Sequence, residues 1–176
     1  MPNCLHAMHQ YGNVPLLYSD TQPMELPATL VDMCEGDFLG SDTADSRLVA
    51  KLISADVVWD TNLATTLLAA KLAFQGVCLV QVDDDSCATR PNTTTIARYR
   101  AGSTFTRAYE IVDAAGAAAP TTWVRGQGFT FAKNPTSNAL VNSKIVKSSV
   151  AGAIVFRAVK DSGPDNVAYA EVEFAA

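Results

Sequence analysis

The chain has 176 residues, of which 48% are hydrophobic and 18% charged. A chain of this length has enough apolar residues to form the core of one domain or of two small lobes. The high hydrophobic fraction also excludes a disordered chain. The net charge of −5 and the lack of a Lys/Arg cluster exclude a nucleic-acid backbone as the main partner. No apolar run approaches the roughly 18 residues that cross a bilayer. The N-terminus lacks a basic start and an apolar core, so we expect no signal peptide and synthesis in the cytoplasm.

Residues 1–30 are predicted to form an extended N-terminal arm. Proline recurs four times, which disfavours a helix and denies donors to a central strand. Five apolar residues between the prolines are the predicted partner-binding anchors: Leu16, Leu17, Tyr18, Met24 and Leu26. The arm either covers its own domain or reaches a neighbouring subunit.

The next segments predict two strands and a helix. Residues 26–40 are interpreted as a strand that ends in a Gly-Asp turn, and residues 47–60 as a strand with room for a short helical turn at its start. A short α-helix is predicted over about 61–75. Asp60 or Thr61 is its predicted cap, Gly76 closes it, and an apolar stripe faces the core: Leu63, Leu67, Leu68, Lys71, Leu72 and Phe74.

After Gly76 the pattern is β to the end of the sequence. Short runs rich in Val, Ile, Thr and aromatic residues alternate with turn-forming residues. We therefore predict a mainly β fold, a small antiparallel β-barrel or sandwich with the one helix and the arm. Val172 and Phe174 are expected to face inward, and Glu171 and Glu173 outward. The β-rich domain spans 31–176, and the stretch near 113–122 either joins two lobes or forms one long loop tip.

Three adjacent acids, Asp83, Asp84 and Asp85, follow a strand and precede Ser86 and a polar run. Aspartate is favoured in turns because its carboxylate accepts hydrogen bonds from nearby amides. The run lacks the ligand spacing, glycine and distal glutamate of a known calcium loop. A turn is the preferred interpretation, with a weak cation site as the alternative.

Cys4, His6 and His9 carry metal-ligating groups near the terminus, but a structural site needs four ligands and no second cluster supplies the rest. We therefore predict no metal and no cofactor. No CxxC pair occurs, so the four cysteines are expected to be free thiols, with Cys78 buried in a strand. A disulfide between Cys78 and Cys87 is the less favoured alternative.

No catalytic arrangement is evident, and we predict no catalytic residues and no enzyme. Any triad would have to recruit His6 or His9, and no GxSxG elbow is present. The stretch RGQGFTF lacks the third glycine of a nucleotide fingerprint and is interpreted as a tight bend. Two carboxylate pairs, Glu110 with Asp113 and Glu171 with Glu173, are better explained as solvated groups than as an acid pair. The aromatic residues are either core or a sugar-stacking platform: Trp59, Tyr99, Tyr109 and Trp123.

Taken together, the proline-interrupted arm, the GDFLG turn at 36–40, the one small helix before Gly76 and the Thr/Ala/Val-rich β half resemble the small decoration, or cement, proteins of tailed bacteriophage capsids. The resemblance includes no diagnostic motif, so no family residue is carried over. It implies a virion protein on the outer surface of the capsid, bound to the major capsid protein, often as a homotrimer.

The function expected from the sequence is therefore structural. The subunit binds and stabilises an assembled capsid, and it has neither a nucleic-acid nor a membrane partner. Two alternatives remain open. The first is a carbohydrate- or cell-surface-binding β-sandwich module, and the second is a carboxylate-based hydrolase.

Overall fold

A computed structural model describes residues 20–27, 32–41, 49–82, 93–100, 103, 105–165 and 167–175. Within these residues the chain forms ten strands, two α-helices and one 3-10 turn. In chain order they are β1 Thr21–Glu25, β2 Phe38–Ser41, β3 Ala50–Leu52, α1 Ile53–Asp56, α2 Leu63–Ala73, β4 Phe74–Cys78, β5 Thr93–Arg98, β6 Thr106–Val112, β7 Gly128–Lys133, β8 Leu140–Lys147, the 3-10 turn Ala151–Ala153, β9 Phe156–Ala158 and β10 Tyr169–Phe174.

The first five strands form an open sheet with the order β1-β5-β4-β2-β3, in which every neighbouring pair is antiparallel. Strand β1 lies at one edge and contains Pro23. A proline is tolerated there because an edge strand has one side on which no ladder donor is needed.

The last five strands close into a barrel with the order β10-β6-β8-β7-β9. Four pairings are antiparallel, and β6 pairs with β8 in parallel, with Ile111 opposite Ile145. A closed ring with an odd number of strands cannot alternate direction throughout, so at least one parallel pair is required. The predicted mainly β fold with a small barrel is thus confirmed, and every pair among the ten strands is antiparallel except this one.

One hydrophobic core joins the sheet to the barrel. Phe38 of β2 lies with its ring centroid 5.3 Å from that of Phe131 and 5.3 Å from that of Phe156, both in the barrel. Phe74 of β4 lies 5.2 Å from Phe131. Aromatic rings at these separations bury large areas and add specific edge contacts. A second, smaller cluster packs on the other face of the sheet, with Met24, Met33, Leu39, Ala50, Cys78, Val82 and Ile96.

The predicted helix over 61–75 is confirmed as α2, with corrections to its cap and its end, and a second helix is present before it. Its cap is Asn62, whose side chain accepts a hydrogen bond from the Thr65 N–H. It ends at Ala73, because Phe74 turns directly into β4 before Gly76 is reached. A second helix, α1, follows β3 within the stretch 47–60, so the helical turn comes after the strand and not before it.

Two further interpretations change. Residues 34–37 form a turn, in which the Asp37 N–H donates to the Cys34 carbonyl at 3.0 Å. This turn precedes β2, so the strand of 26–40 follows the Gly-Asp turn. The stretch 113–122 connects β6 to β7, which are both strands of the barrel. The chain passes from the open sheet to the barrel between β5 and β6. The stretch is therefore a loop of the barrel and does not join two lobes.

Candidate functional site

The outer face of the barrel carries Tyr169 and Glu171 on β10. Residues two apart on a strand point to the same side, and the alternate residues Ala170 and Val172 are fully buried in the core. Tyr169 and Glu171 therefore face outward. The strand register places Glu171 opposite Ala108 of β6, whose short side chain leaves space on this face.

Two loop segments lie over this face, 121–125 before β7, and 160–165 with 167 between β9 and β10. The main chains of Thr121 and Val167 exchange hydrogen bonds of 3.1 and 3.0 Å. The ammonium of Lys147 on β8 donates to the Thr121 hydroxyl at 3.1 Å. The loops are thus held to each other and to the barrel.

Trp123 is fixed between these loops and the core. Its main-chain N–H donates to the Ser162 hydroxyl at 3.0 Å, and its indole Nε1 donates to the Lys160 carbonyl at 3.1 Å. Its ring meets that of Phe129 edge to face at 6.0 Å. Because both nitrogens are bonded and one side packs on the core, the orientation of the indole is determined by the fold.

A cavity of about 230 Å³ lies between the loops and the outer face of β10 and β6. We call it the Trp123 pocket, and its lining residues are Ala108, Trp123, Lys160, Asp161, Ser162, Val167, Tyr169 and Glu171. A wider depression of about 580 Å³ adjoins it and shares Trp123 and Asp161. A concave site with aromatic walls and a few polar groups is the usual form of a small-molecule site.

The charged groups of the pocket are two acids and one base. Lys160 Nζ lies 2.9 Å from a carboxylate oxygen of Glu171. Asp161 accepts a hydrogen bond of 2.5 Å from the Arg125 main-chain N–H. Lys160 and Asp161 are exposed, so the pocket is open to solvent. The formal charge of its lining is therefore negative, which disfavours an anionic ligand.

Sequence reasoning placed Glu171 on an outward strand face and did not find the pocket. The spacing of Tyr169 and Glu171 was a usable signal, because it puts both on one face of β10. The sequence did not show that Trp123 and Lys160 lie beside β10, because their positions depend on two loops that are far apart in the chain.

The two carboxylate pairs interpreted from the sequence as solvated groups have the following partners. Glu110 lies 2.8 Å from Lys144 Nζ, whereas Asp113 accepts hydrogen bonds from the main-chain N–H groups of Ala115 and Ala117 at 2.8 and 3.0 Å. Glu171 pairs with Lys160, while Glu173 is exposed. Each group has a separate local partner or faces solvent.

The aromatic residues divide between core and surface. Tyr109 and Trp123 are buried, as the core interpretation predicted. Trp59 is half-buried and has Lys133 Nζ 5.6 Å from its ring centroid. In RGQGFTF, Gly126 has a φ of 82° in a turn closed by the Gln127 N–H on the Val124 carbonyl at 3.0 Å, so the predicted tight bend is confirmed.

The predicted arm anchors fall into two groups. Leu16, Leu17 and Tyr18 lie outside the described residues. Met24 is 1% exposed and belongs to the second cluster, and Leu26 packs against the same cluster. These two residues therefore stabilise the chain's own sheet, and over 20–27 the arm covers its own domain.

Asp83, Asp84 and Asp85 lie outside the described residues, as do Cys4, His6 and His9, so the structure does not bear on either predicted cluster. In the described part of the chain no group of three or more His, Cys, Asp or Glu side chains is placed to hold a metal ion.

The cysteines differ from the prediction of four free thiols. Cys34 is disulfide-bonded, and its partner lies outside the described residues. Cys78 is free and fully buried, so the alternative bridge between Cys78 and Cys87 is wrong. Burial raises the pKa of the Cys78 thiol above 9.0, against the opposing effect of a hydrogen bond to Thr94.

The outer side of α2 is mostly apolar, and Thr65 and Lys71 of the helix are partly exposed. Its exposed residues are Ala64, Leu68, Ala69 and Leu72. Leu68 is 41% exposed and Leu72 86% exposed, which corrects the prediction that they face the core. Leu68 also approaches Gly152 of the 3-10 turn. We call Leu68 and Leu72, one helical turn apart, the α2 patch.

Searches of protein-family models, curated proteins and solved structures find no match to the chain. Among the helices of the described residues, none has the length and apolar character needed to span a membrane.

Proposed function

We propose that the protein is a non-enzymatic structural subunit that decorates and stabilises an assembled viral capsid. The observation that carries the proposal is the α2 patch. A helix on the surface of a soluble domain normally turns polar residues to water, and a helix that is apolar all round is normally buried. On α2 the four exposed residues are all apolar, so the helix is suited to burial against a partner.

The partner in this proposal is the major capsid protein, and the site is the outer surface of the virion. A mainly neutral partner surface suits α2, because Lys71, the one charged residue of the helix, is only partly exposed. The disulfide at Cys34 supports a location outside a reducing cytoplasm after assembly, since such bonds persist on virion surfaces.

Within the same proposal the protein is a homotrimer, and residues 1–19 contact the shell or a neighbouring subunit through Leu16, Leu17 and Tyr18. Met24 and Leu26 no longer belong to this contact, because they support β1. A deletion that tests the arm therefore has to stop before Asp20. Removing residues 1–27 would also remove β1 and weaken the second cluster.

The α2 patch is tested by cosedimentation of the chain with capsids assembled from the major capsid protein. Wild type is expected to sediment with the capsids, and Leu72→Ser to bind about 10- to 100-fold more weakly, because a buried leucine contributes about 1.5–3 kcal/mol. The matched control is Val80→Ser, which changes another exposed apolar residue, 51% exposed, away from α2. No sedimentation of wild type, or equal binding by both variants, contradicts the proposal.

The arm and the oligomer are tested by light scattering coupled to size exclusion. The 176-residue chain is expected as a trimer over a wide concentration range. A variant lacking residues 1–19 is expected to be folded and to bind capsids less well in cosedimentation. Normal capsid binding by the truncated protein would remove the arm from the proposal.

A further inference from the structure

We propose that the Trp123 pocket is a carbohydrate-binding site that receives the terminal neutral hexose of a glycan. This inference is independent of capsid binding, because the pocket lies on the outer face of β10 and β6 whereas the α2 patch lies on a helix that contacts β7 and β2.

The size of the pocket restricts the ligand. Its volume of about 230 Å³ is below the roughly 300–1,000 Å³ that is typical for drug-sized ligands. One sugar ring is a ligand of the appropriate scale. The adjoining depression of about 580 Å³ extends from Trp123 and Asp161 past Val124, so a second sugar unit has room beside the first.

The walls suit the two kinds of surface that a sugar presents. Tyr169, which is half-buried, supplies aromatic surface for the apolar C–H face of the ring, and Trp123, 8% exposed, adds a smaller part. Lys160 and Glu171 supply a donor and an acceptor side by side, 2.9 Å apart. A hydroxyl both donates and accepts, so two neighbouring hydroxyls can accept from the ammonium and donate to the carboxylate.

The charge of the pocket selects against anions. Asp161 and Glu171 outnumber Lys160, so a phosphate or a free carboxylate would meet net repulsion. A neutral polyol has no such cost, and its hydrogen bonds to charged groups are the stronger kind.

The pocket is also preorganised. The Ser162 N–H donates to the Trp123 carbonyl at 3.1 Å, in addition to the two bonds that Trp123 itself donates. The short side chain of Ala108 leaves the bottom of the pocket unfilled. A site that is already ordered loses little conformational entropy when a ligand binds, which matters for a small ligand with few contacts.

The experiment is an NMR titration of the ¹⁵N-labelled chain with the neutral hexoses glucose, galactose and mannose. The sequence contains two tryptophans, Trp59 and Trp123, so their indole N–H signals provide a site probe and an internal reference. At least one sugar is expected to shift the Trp123 signal in a saturable manner and to leave the Trp59 signal in place.

Two pairs of variants locate the binding. Glu171→Gln and Lys160→Met are expected to weaken binding about tenfold, because each removes a charged hydrogen-bonding partner. The matched controls Glu110→Gln and Lys144→Met disrupt an ion pair of 2.8 Å on the same barrel whose residues do not line the pocket, and they are expected to bind like wild type.

Ala108→Leu provides a test that keeps every polar group, since the larger side chain fills the floor of the pocket and is expected to abolish the shift. Circular dichroism confirms that each variant is folded. The proposal is overturned if no sugar shifts the Trp123 signal, if Trp59 shifts equally, or if binding survives in Ala108→Leu.

Discussion

The hydroxyl of Tyr109 on β6 donates a hydrogen bond of 3.0 Å to the main-chain carbonyl of Gly36, in the turn that precedes β2. Beside it, Arg107 Nη2 lies 3.2 Å from a carboxylate oxygen of Glu35. The barrel and the open sheet are therefore connected by specific polar contacts as well as by the aromatic core.

Tyr109→Phe is expected to lower the free energy of unfolding by about 1–3 kcal/mol, because it leaves a buried carbonyl without its donor. Urea denaturation measures the loss. The control is Tyr99→Phe, which removes a bond of 2.7 Å to the Ala175 carbonyl at a partly buried site where water can replace it. An equal or larger loss for Tyr99→Phe would contradict this account.

Asn62→Ala is expected to lower the free energy of unfolding by about 1 kcal/mol, since the Asn62 side chain caps α2 through the Thr65 N–H at 3.0 Å. Thr61→Ala should change it by less than about 0.5 kcal/mol, because Thr61 is exposed and does not cap the helix. Thermal denaturation of both variants distinguishes the two positions. A larger loss for Thr61→Ala than for Asn62→Ala would mean that Thr61 caps the helix, as the sequence predicted.

The sequence was sufficient to predict those parts of the fold that depend on local patterns. The alternation in β10 gave buried Val172 and Phe174, and α2 was located to within two residues at either end. The sequence was insufficient where distant contacts decide. Leu72 is a residue type that is usually buried, yet it is 86% exposed. The face of α2 that packs on the core is the one with Thr66, Leu67 and Ala70.

Gly40→Ala is expected to destabilise the protein by about 1–3 kcal/mol, the usual cost of overpacking. A Cβ at Gly40 would lie 2.1 Å from the Asp56 carboxylate oxygen and 3.3 Å from the Ala73 carbonyl. The Asp56 side chain is 7% exposed and lies 3.8 Å from Lys51 Nζ, so it has little room to shift.

Gly152→Ala is the matched control for Gly40→Ala, because neither glycine is among those with a positive φ. Its Cβ would meet only the end of the Leu68 side chain at 3.0 Å, which can turn into solvent. We expect a change below about 0.5 kcal/mol in chemical denaturation. Equal losses at the two positions would mean that the Asp56 contact is not the cause.

Alkaline pH is expected to destabilise the protein from about pH 9 upward. Burial raises the pKa of Cys78 above the 9.0 of a free thiol, and burial also raises the pKa of Tyr109 above 10.0. The unfolded state therefore loses these protons first. The stabilisation is complete below the unfolded pKa and decreases as pH rises toward the folded pKa.

Urea midpoints measured from neutral pH to about pH 10 test this prediction. Cys78→Ala should lower the midpoint at every pH through lost packing, but the decrease above pH 9 should be shallower than in wild type. Native Cys78 should also resist alkylation until the protein is denatured, since the thiol is fully buried. An identical pH dependence in both proteins would exclude the thiol as a cause.

The position of β10 in the barrel sets the order in which the chain can fold during synthesis. Strand β6 pairs with β10 and with β8, and β9 also needs β10. At about 5–20 residues per second, ribosomes take several seconds to extend the chain from β6 to Phe174. During that interval the edge of β6 that pairs with β10 has no partner strand, and an unpaired strand edge is a site where chains aggregate.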